Sequence, residues 1–200
     1  MVTNAAGVVG TNWVAYGAAQ NVLHAVRYCT DRGTPITHML TVDLGWVTAP
    51  HEPSQVLKEL RKRVARWWRD QCQRKGRTLG PLMSAVVQAN PGGHHHAHWL
   101  QRLPPGMEME FMGVVINRLA KITGVAVSVA SDACHLTPTP TPGSLAKYTL
   151  KGIKPSLADH FHIDGMDEGF VPGRRTSVSR AISRTARRND GWVRRRRPRS

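Results

Sequence analysis

The 200 residues are 40% apolar and carry a formal net charge of +15, which suits one compact domain, or one domain and a tail. No apolar run approaches the ~20 residues of a membrane span, and the first residues lack the basic, apolar, small-residue order of a secretory signal. The three cysteines, Cys29, Cys72 and Cys134, form no CxxC pair, so a disulfide framework and a zinc ribbon are both disfavoured, and each cysteine reads as a small buried hydrophobe in a reducing compartment.

The charge is unevenly spread. From residue 171 to 200 eleven arginines face one acid, Asp190, giving that stretch a net +10 of the chain's +15. A block of like charge this dense indicates a polyanion partner, nucleic acid ahead of anionic lipid, and arginine suits forked recognition of phosphate. A solubilising tail is the plainer alternative.

In chain order, residues 15 to 28 allow a helix with Val22, Ala25, Val26 and Cys29 on one stripe. Residues 35 to 47, rich in apolar and β-branched residues and bounded by Pro and Gly, read as a strand. Residues 54 to 76 give the clearest helix. Ser54 is its expected N-cap, Val56, Leu57, Leu60, Val64, Trp67, Trp68 and Cys72 keep helical spacing, and Gly76 stops it. Its basic face (Lys58, Arg61, Lys62, Arg63, Arg66, Arg69, Arg74) reads by default as solvated, with DNA contact as the alternative because so few acids oppose it. Residues 79 to 90 then run through a strand into the turn Asn90-Pro91-Gly92-Gly93, which feeds a histidine strand as a β-hairpin.

That second strand is the centre of the sequence: His94-His95-His96-Ala97-His98-Trp99-Leu100. In a strand, side chains alternate faces with period two. His94, His96 and His98 therefore share one face, and His95, Ala97 and Trp99 the other. Imidazoles at i and i+2 suit adjacent positions on a divalent cation, since neutral imidazole is the commonest protein metal ligand. A solvent-facing polar strand is the bland reading. Residues 107 to 124 follow as an amphipathic helix with a core stripe of Met109, Met112, Val115, Ile116 and Leu119, and residues 125 to 130 as a short apolar strand. The segment Pro138-Thr-Pro-Thr-Pro142-Gly143 is a stiff linker to a helix capped by Ser144 and closed by Gly152. On it Tyr148 and Lys151 are spaced i, i+3 on one face.

A histidine-held metal polarises a phosphate, a nearby ammonium stabilises the phenolate or the developing phosphate charge, and a tyrosine can then act as nucleophile. With a basic tail, these parts describe covalent phosphoryl transfer on DNA.

The sequence resembles the HUH endonucleases, specifically the rolling-circle replication initiators of plasmids and single-stranded DNA phages. Three motifs, over roughly residues 34 to 165, carry the resemblance in order. They are Thr37-His-Met-Leu-Thr41-Val-Asp-Leu44, then His96-Ala97-His98-Trp99-Leu100, then Tyr148-Thr-Leu-Lys151. The resemblance implies an α+β fold, a central antiparallel sheet flanked by helices, with an N-terminal extension (1–33), an endonuclease domain (34–170) and an arginine-rich DNA-binding tail (171–200). It implies that His96 and His98 bind Mg²⁺ or Mn²⁺, with Gln88 on the neighbouring strand as the best-placed third ligand and His94 competing; His94-His95-His96 also fits the histidine pattern. Tyr148 would attack single-stranded origin DNA, assisted by Lys151, leaving a 5′-phosphotyrosyl link and a free 3′-OH for the host polymerase in a bacterial cytoplasm. Position 144 is serine, so a two-tyrosine relay within one subunit is not supported. No GxxxxGK[ST] loop appears, so unwinding would fall to a host helicase. The segment from 169 to 182 is expected to dock beside the active site or to extend along the DNA, the former for Arg174 and Arg175, with Arg180 also a DNA contact and Arg194, Arg195, Arg196 and Arg197 on phosphates nonspecifically. The rival readings are an HUH transposase or relaxase, a non-catalytic basic packaging protein, and a metal nuclease using water in place of Tyr148.

Overall fold

The computed structural model describes every residue except 5, 6, 75 and 194–200. Its framework is a five-stranded antiparallel sheet in the order β6-β3-β5-β4-β8, built from β3 (His38–Asp43), β4 (Ser84–Ala89), β5 (His96–Gln101), β6 (Cys134–Pro138) and β8 (Thr176–Val178). A smaller three-stranded sheet joins β1 (Val2–Thr3), β2 (Val9–Thr11) and β7 (Val171–Pro172). The helices are α1 (Tyr16–Asp31), α2 (Pro53–Gln73), α3 (Glu108–Thr123), α4 (Val127–Asp132), α5 (Pro142–Thr149), α6 (Pro155–Phe161) and α7 (Arg184–Asn189). The fold is α+β, with helices on both faces of the main sheet.

Period-two alternation sorts the strands into two cores. Leu40, Val42, Val86, Ala97 and Trp99 face α2 and α3, where Leu57, Leu60, Val64, Trp68, Phe111, Val115 and Leu119 complete a cluster. Phe111 lies at its centre, with its ring tilted against Trp67 and edge-on to Trp99 at 6.1 Å. Ala85, Val87 and Leu100 face the other way, against Val22, Ala25, Val26 and Cys29 of α1 and Ala146 and Leu150 at α5. The helix of the expected N-terminal extension is thus built into the second core. The start of the expected tail is likewise built in, since Thr176, Ser177 and Val178 pair with β4 and close one sheet edge.

Several local expectations are corrected. The N-cap of α2 is Glu52, whose carboxylate accepts from the Ser54 and Gln55 amides. Pro53 has no N–H to cap and takes the first helical position, which moves the cap ahead of Ser54. Pro142 likewise opens α5, placing Thr141, not Ser144, at its N-cap, and the helix ends at Thr149, short of Gly152. Residues 125 to 130 do not form a strand. Gly124 turns left-handed at φ 74° to end α3, and residues 127 to 132 wind into α4, leaving the place beside β3 to Cys134–Pro138. On α3 the buried stripe is Phe111, Val115, Leu119 and Ala120, while Met109 is exposed.

Candidate active site

β5 is the middle strand of the sheet, and its two in-strand histidines point to the α1/α5 side. In register, His98 stands opposite Thr41 on β3 and Val87 on β4, and His96 opposite Asp43 and Ala89. The rings of His96 and His98 are 5.1 Å apart. His96 Nδ1 lies 3.2 Å from the His94 carbonyl oxygen. A carbonyl only accepts, so Nδ1 is the donor here and Nε2 is the ring nitrogen left to face a ligand. His98 is buried, its Nδ1 lies 3.3 Å from the Thr41 hydroxyl, and its Nε2 has no hydrogen-bond partner. Burial pushes the His98 imidazole down to about 4, with His96 and Lys151 adding to the effect. It is therefore neutral at pH 7, the form that ligates a cation.

His94 lies just before the strand. Its Nε2 is 3.0 Å from Asp43 Oδ2, and its ring is 6.4 Å from that of His96. Gly45 makes room for it, since a Cβ there would meet the His94 ring at 2.5 Å. Asp43 Oδ1 accepts from the Gly45 amide at 2.8 Å. Asp43, which is not among the ligands expected from the sequence, lies inside the first motif. Its spacing from Thr41 already placed both on one face.

Gln88 is not brought to this face. It stands opposite Ala97, on the α2/α3 side. Its amide is occupied there: Oε1 lies 3.0 Å from His95 Nε2 and Nε2 donates to the Arg174 carbonyl at 2.8 Å. His95 is buried with it, and desolvation, ahead of His96 and Arg175, pushes that imidazole down to about 4. The parity of the strand pairing separates Gln88 from His96 and His98.

Tyr148 comes to the histidine face from α5, which α1 holds in place. Its ring is 5.7 Å from the His98 ring, and the side chain is half exposed. Lys151 lies just past the helix end, in a turn closed by its own N–H to the Tyr148 carbonyl. Its ammonium is 5.2 Å from the Tyr148 ring centre. On its other side Lys151 pairs with Glu168 Oε1 at 3.0 Å. Glu168 is 2% exposed, and no motif points to it, because it follows the third motif by a distance no local pattern spans. Gly152 admits it, since a Cβ there would meet Glu168 Cβ at 2.8 Å. The Glu168 carbonyl accepts from the Asn90 amide, which ties this segment to the hairpin carrying the histidines.

Of the expected DNA-contacting arginines, Arg174 and Arg180 are exposed. Arg175 is not available to DNA. It is 3% exposed, and its guanidinium donates to the carbonyls of Thr11, Glu168 and Gly169. Burial pushes it down to about 10, opposed by Glu168 and Asp167. Its place is structural, joining the small sheet to the Glu168 segment. Arg194, Arg195, Arg196 and Arg197 lie outside the described residues.

The donor set fits a divalent cation. His96 and His98 are adjacent imidazoles, one with an orphaned buried nitrogen, and hydrogen bonds at both Nδ1 atoms fix the rings as second partners do in metal sites. Among the described residues no group of three or more His, Cys, Asp or Glu side chains is placed to hold a metal ion, so His96 and His98 are the donors the site offers. Also among the described residues, no helix is long and apolar enough to cross a membrane. Comparisons with protein-family models, with curated proteins and with solved structures give no match.

Proposed function

We propose that this chain is a metal-dependent, site-specific endonuclease and strand transferase for single-stranded DNA, of the HUH kind, with Tyr148 as nucleophile. Its role would be to start rolling-circle replication by nicking the origin. The observation that carries this reading is the convergence of three segments far apart in the chain. Thr41 and Asp43 on β3, His96 and His98 on β5, and Tyr148 with Lys151 at α5 form one continuous set of contacts. The same three segments carry the resemblance drawn from the sequence.

In this mechanism the Tyr148 hydroxyl oxygen attacks the scissile phosphorus and gives up its proton. The new O–P bond links the tyrosine to the 5′ side of the break, and the P–O3′ bond breaks. The departing O3′ takes up a proton and leaves as a free hydroxyl. Attack of a 3′-OH on the phosphotyrosine reverses these steps and rejoins the strand. Mg²⁺ or Mn²⁺ on His96 and His98 supplies Lewis-acid polarisation of the phosphate when bound. Lys151 offsets charge on the phenolate and on the phosphate as it develops. Glu168 keeps that ammonium against Tyr148, and Thr41 orients His98. The exposed half of Tyr148 lets a polymer reach it, as a DNA strand requires. Extension of the 3′-OH and unwinding would fall to a host polymerase and helicase.

Labelled single-stranded oligonucleotides tiling the replicon, incubated with Mn²⁺ or EDTA and run on a denaturing protein gel, test the reading. A metal-dependent shifted band that is lost in Tyr148→Phe is expected. Cutting without a shifted band would instead assign the attack to water. Tight binding with neither cutting nor adduct on any oligonucleotide would favour a packaging role.

A further inference from the structure

A cavity of about 360 Å³ lies between α1 and α7, lined by Asn21 and His24 of α1, Arg184, Arg187 and Arg188 of α7, and Trp192 just beyond. None of these residues belongs to the Tyr148 face. Arg184, Arg187 and Arg188 share one side of a two-turn helix, an arrangement that self-repulsion disfavours. Arg187 is 4% exposed, yet among the described residues its guanidinium meets only neutral oxygens: the Ile182 carbonyl at 2.6 Å, Asn21 Oδ1 at 2.7 Å and the Asn21 carbonyl at 3.5 Å. Arg184 and Arg188 are exposed and make no ion pair among the described residues. The acids nearby are already engaged. Asp190 accepts from Tyr28 and pairs with Arg32, while Asp31 accepts from Trp192 Nε1 and pairs with Arg27. The cleft therefore holds positive charge that no acid among the described residues compensates. Beside that charge stand aromatic rings, with Trp192 set 5.7 Å from His24 and edge-on to Tyr28 at 5.9 Å.

We propose that this cleft is a second binding site for single-stranded DNA. It would take one backbone phosphate on Arg184 and Arg188, over the buried charge of Arg187, and the adjoining base at the Trp192 and His24 rings. Uncompensated arginines call for an anion. Interleaved rings distinguish a nucleotide chain from a bare phosphate, because every base has a stacking face. The cavity lies at the small end of ligand sites, on the order of 300–1,000 Å³, which suits a single nucleotide unit. The choice of DNA rests on the function proposed for Tyr148. The cleft would hold the strand away from the cutting site and keep it attached between the two transfer steps.

The test is binding of a fluorescein-labelled 20-mer of thymidylate, read by anisotropy over a range of salt, in EDTA and on a Tyr148→Phe background. Arg184→Ala/Arg188→Ala is compared with Arg66→Ala/Arg69→Ala, which removes the same charge from exposed positions on α2, across the sheet. The cleft pair should weaken binding about tenfold and lower the log–log salt slope by about 0.7, the value for one phosphate on a single strand. The α2 pair should change affinity less than twofold. Equal losses from both pairs would reduce the effect to overall charge and overturn the proposal. No loss from the cleft pair, or no binding by the parent protein, would overturn it as well. The measurement involves no chemistry, so it stands apart from the adduct assay. A wild-type adduct with an unaffected cleft variant refutes the cleft alone, and a weakened cleft variant with no wild-type adduct refutes the Tyr148 reading alone.

Discussion

His95→Gln should remove about half of the stability that the wild-type protein loses through the buried His95 and His98 between pH 7 and pH 5. His95 and His98 are 3% and 6% exposed, and burial holds both imidazoles down to about 4, against about 6.5 in an unfolded chain. Between those values the unfolded state binds protons that the folded state refuses. Stability therefore falls as pH drops through 6.5 and stops falling on this account below 4. At pH 5 the unfolded chain holds nearly a full proton on each ring and the folded chain about a tenth of one. This costs roughly 2 kcal/mol per histidine relative to pH 7, or about 4 kcal/mol for the two. Urea unfolding in EDTA at both pH values measures it, and comparison with the variant cancels the contribution of carboxylates common to both. Glutamine keeps a polar group beside Gln88 without a titrating ring. A variant that loses as much between pH 7 and pH 5 as the wild type would refute the reasoning, because His95 would then accept its proton within the fold.

Lys151→Ala should lower the rate of adduct formation by about 10² with little effect on oligonucleotide binding, measured by quenched time courses and anisotropy on the same variant. Glu168→Ala should cost about 3 kcal/mol in urea unfolding, because it strands the Lys151 ammonium, and should slow adduct formation as well. Phe111→Ala should cost about 3–5 kcal/mol, since it opens a cavity between Trp67 and Trp99, and chemical denaturation reads it directly. At pH 8 in the native state one thiol, Cys72, should react with iodoacetamide. Burial pushes Cys29 up to about 11 and Cys134 up to about 12, and thiolate is the reactive form. Mass spectrometry should find all three modified only after denaturation.

The elements with strong periodicity are legible in the sequence alone. The apolar stripes of α1 and α2 and the alternation of the histidine hairpin needed only a side-chain period to assign. Where the pattern was short, the reading failed for want of context. The apolar run at 125 to 130 fits a strand as well as a helix, and only the pairing of Cys134–Pro138 with β3 leaves it helical. On α3 the spacing phases the stripe on methionines, whereas Phe111 offers the larger rigid surface and takes the core. The two helix starts misplaced at Ser54 and Ser144 share one cause: the proline upstream already held the first helical position. In the site, the shared face of His96 and His98 follows from spacing alone. The exclusion of Gln88 depends on the register between β4 and β5, which local sequence does not encode. Glu168 and Arg175 reach their places through the path of the chain after α6, so no motif could have named them.

The central claim is that Tyr148 becomes covalently joined to DNA. The most direct test is to treat wild-type protein with origin oligonucleotides and Mn²⁺, trim the product with nuclease, digest it with protease, and sequence the nucleotide-bearing peptide by mass spectrometry. A nucleotide mass on Tyr148, linked through a 5′ phosphate and absent in EDTA, is the predicted result. The same mass on Tyr16, Tyr28 or a serine, or a cut strand with no modified peptide, would contradict the account.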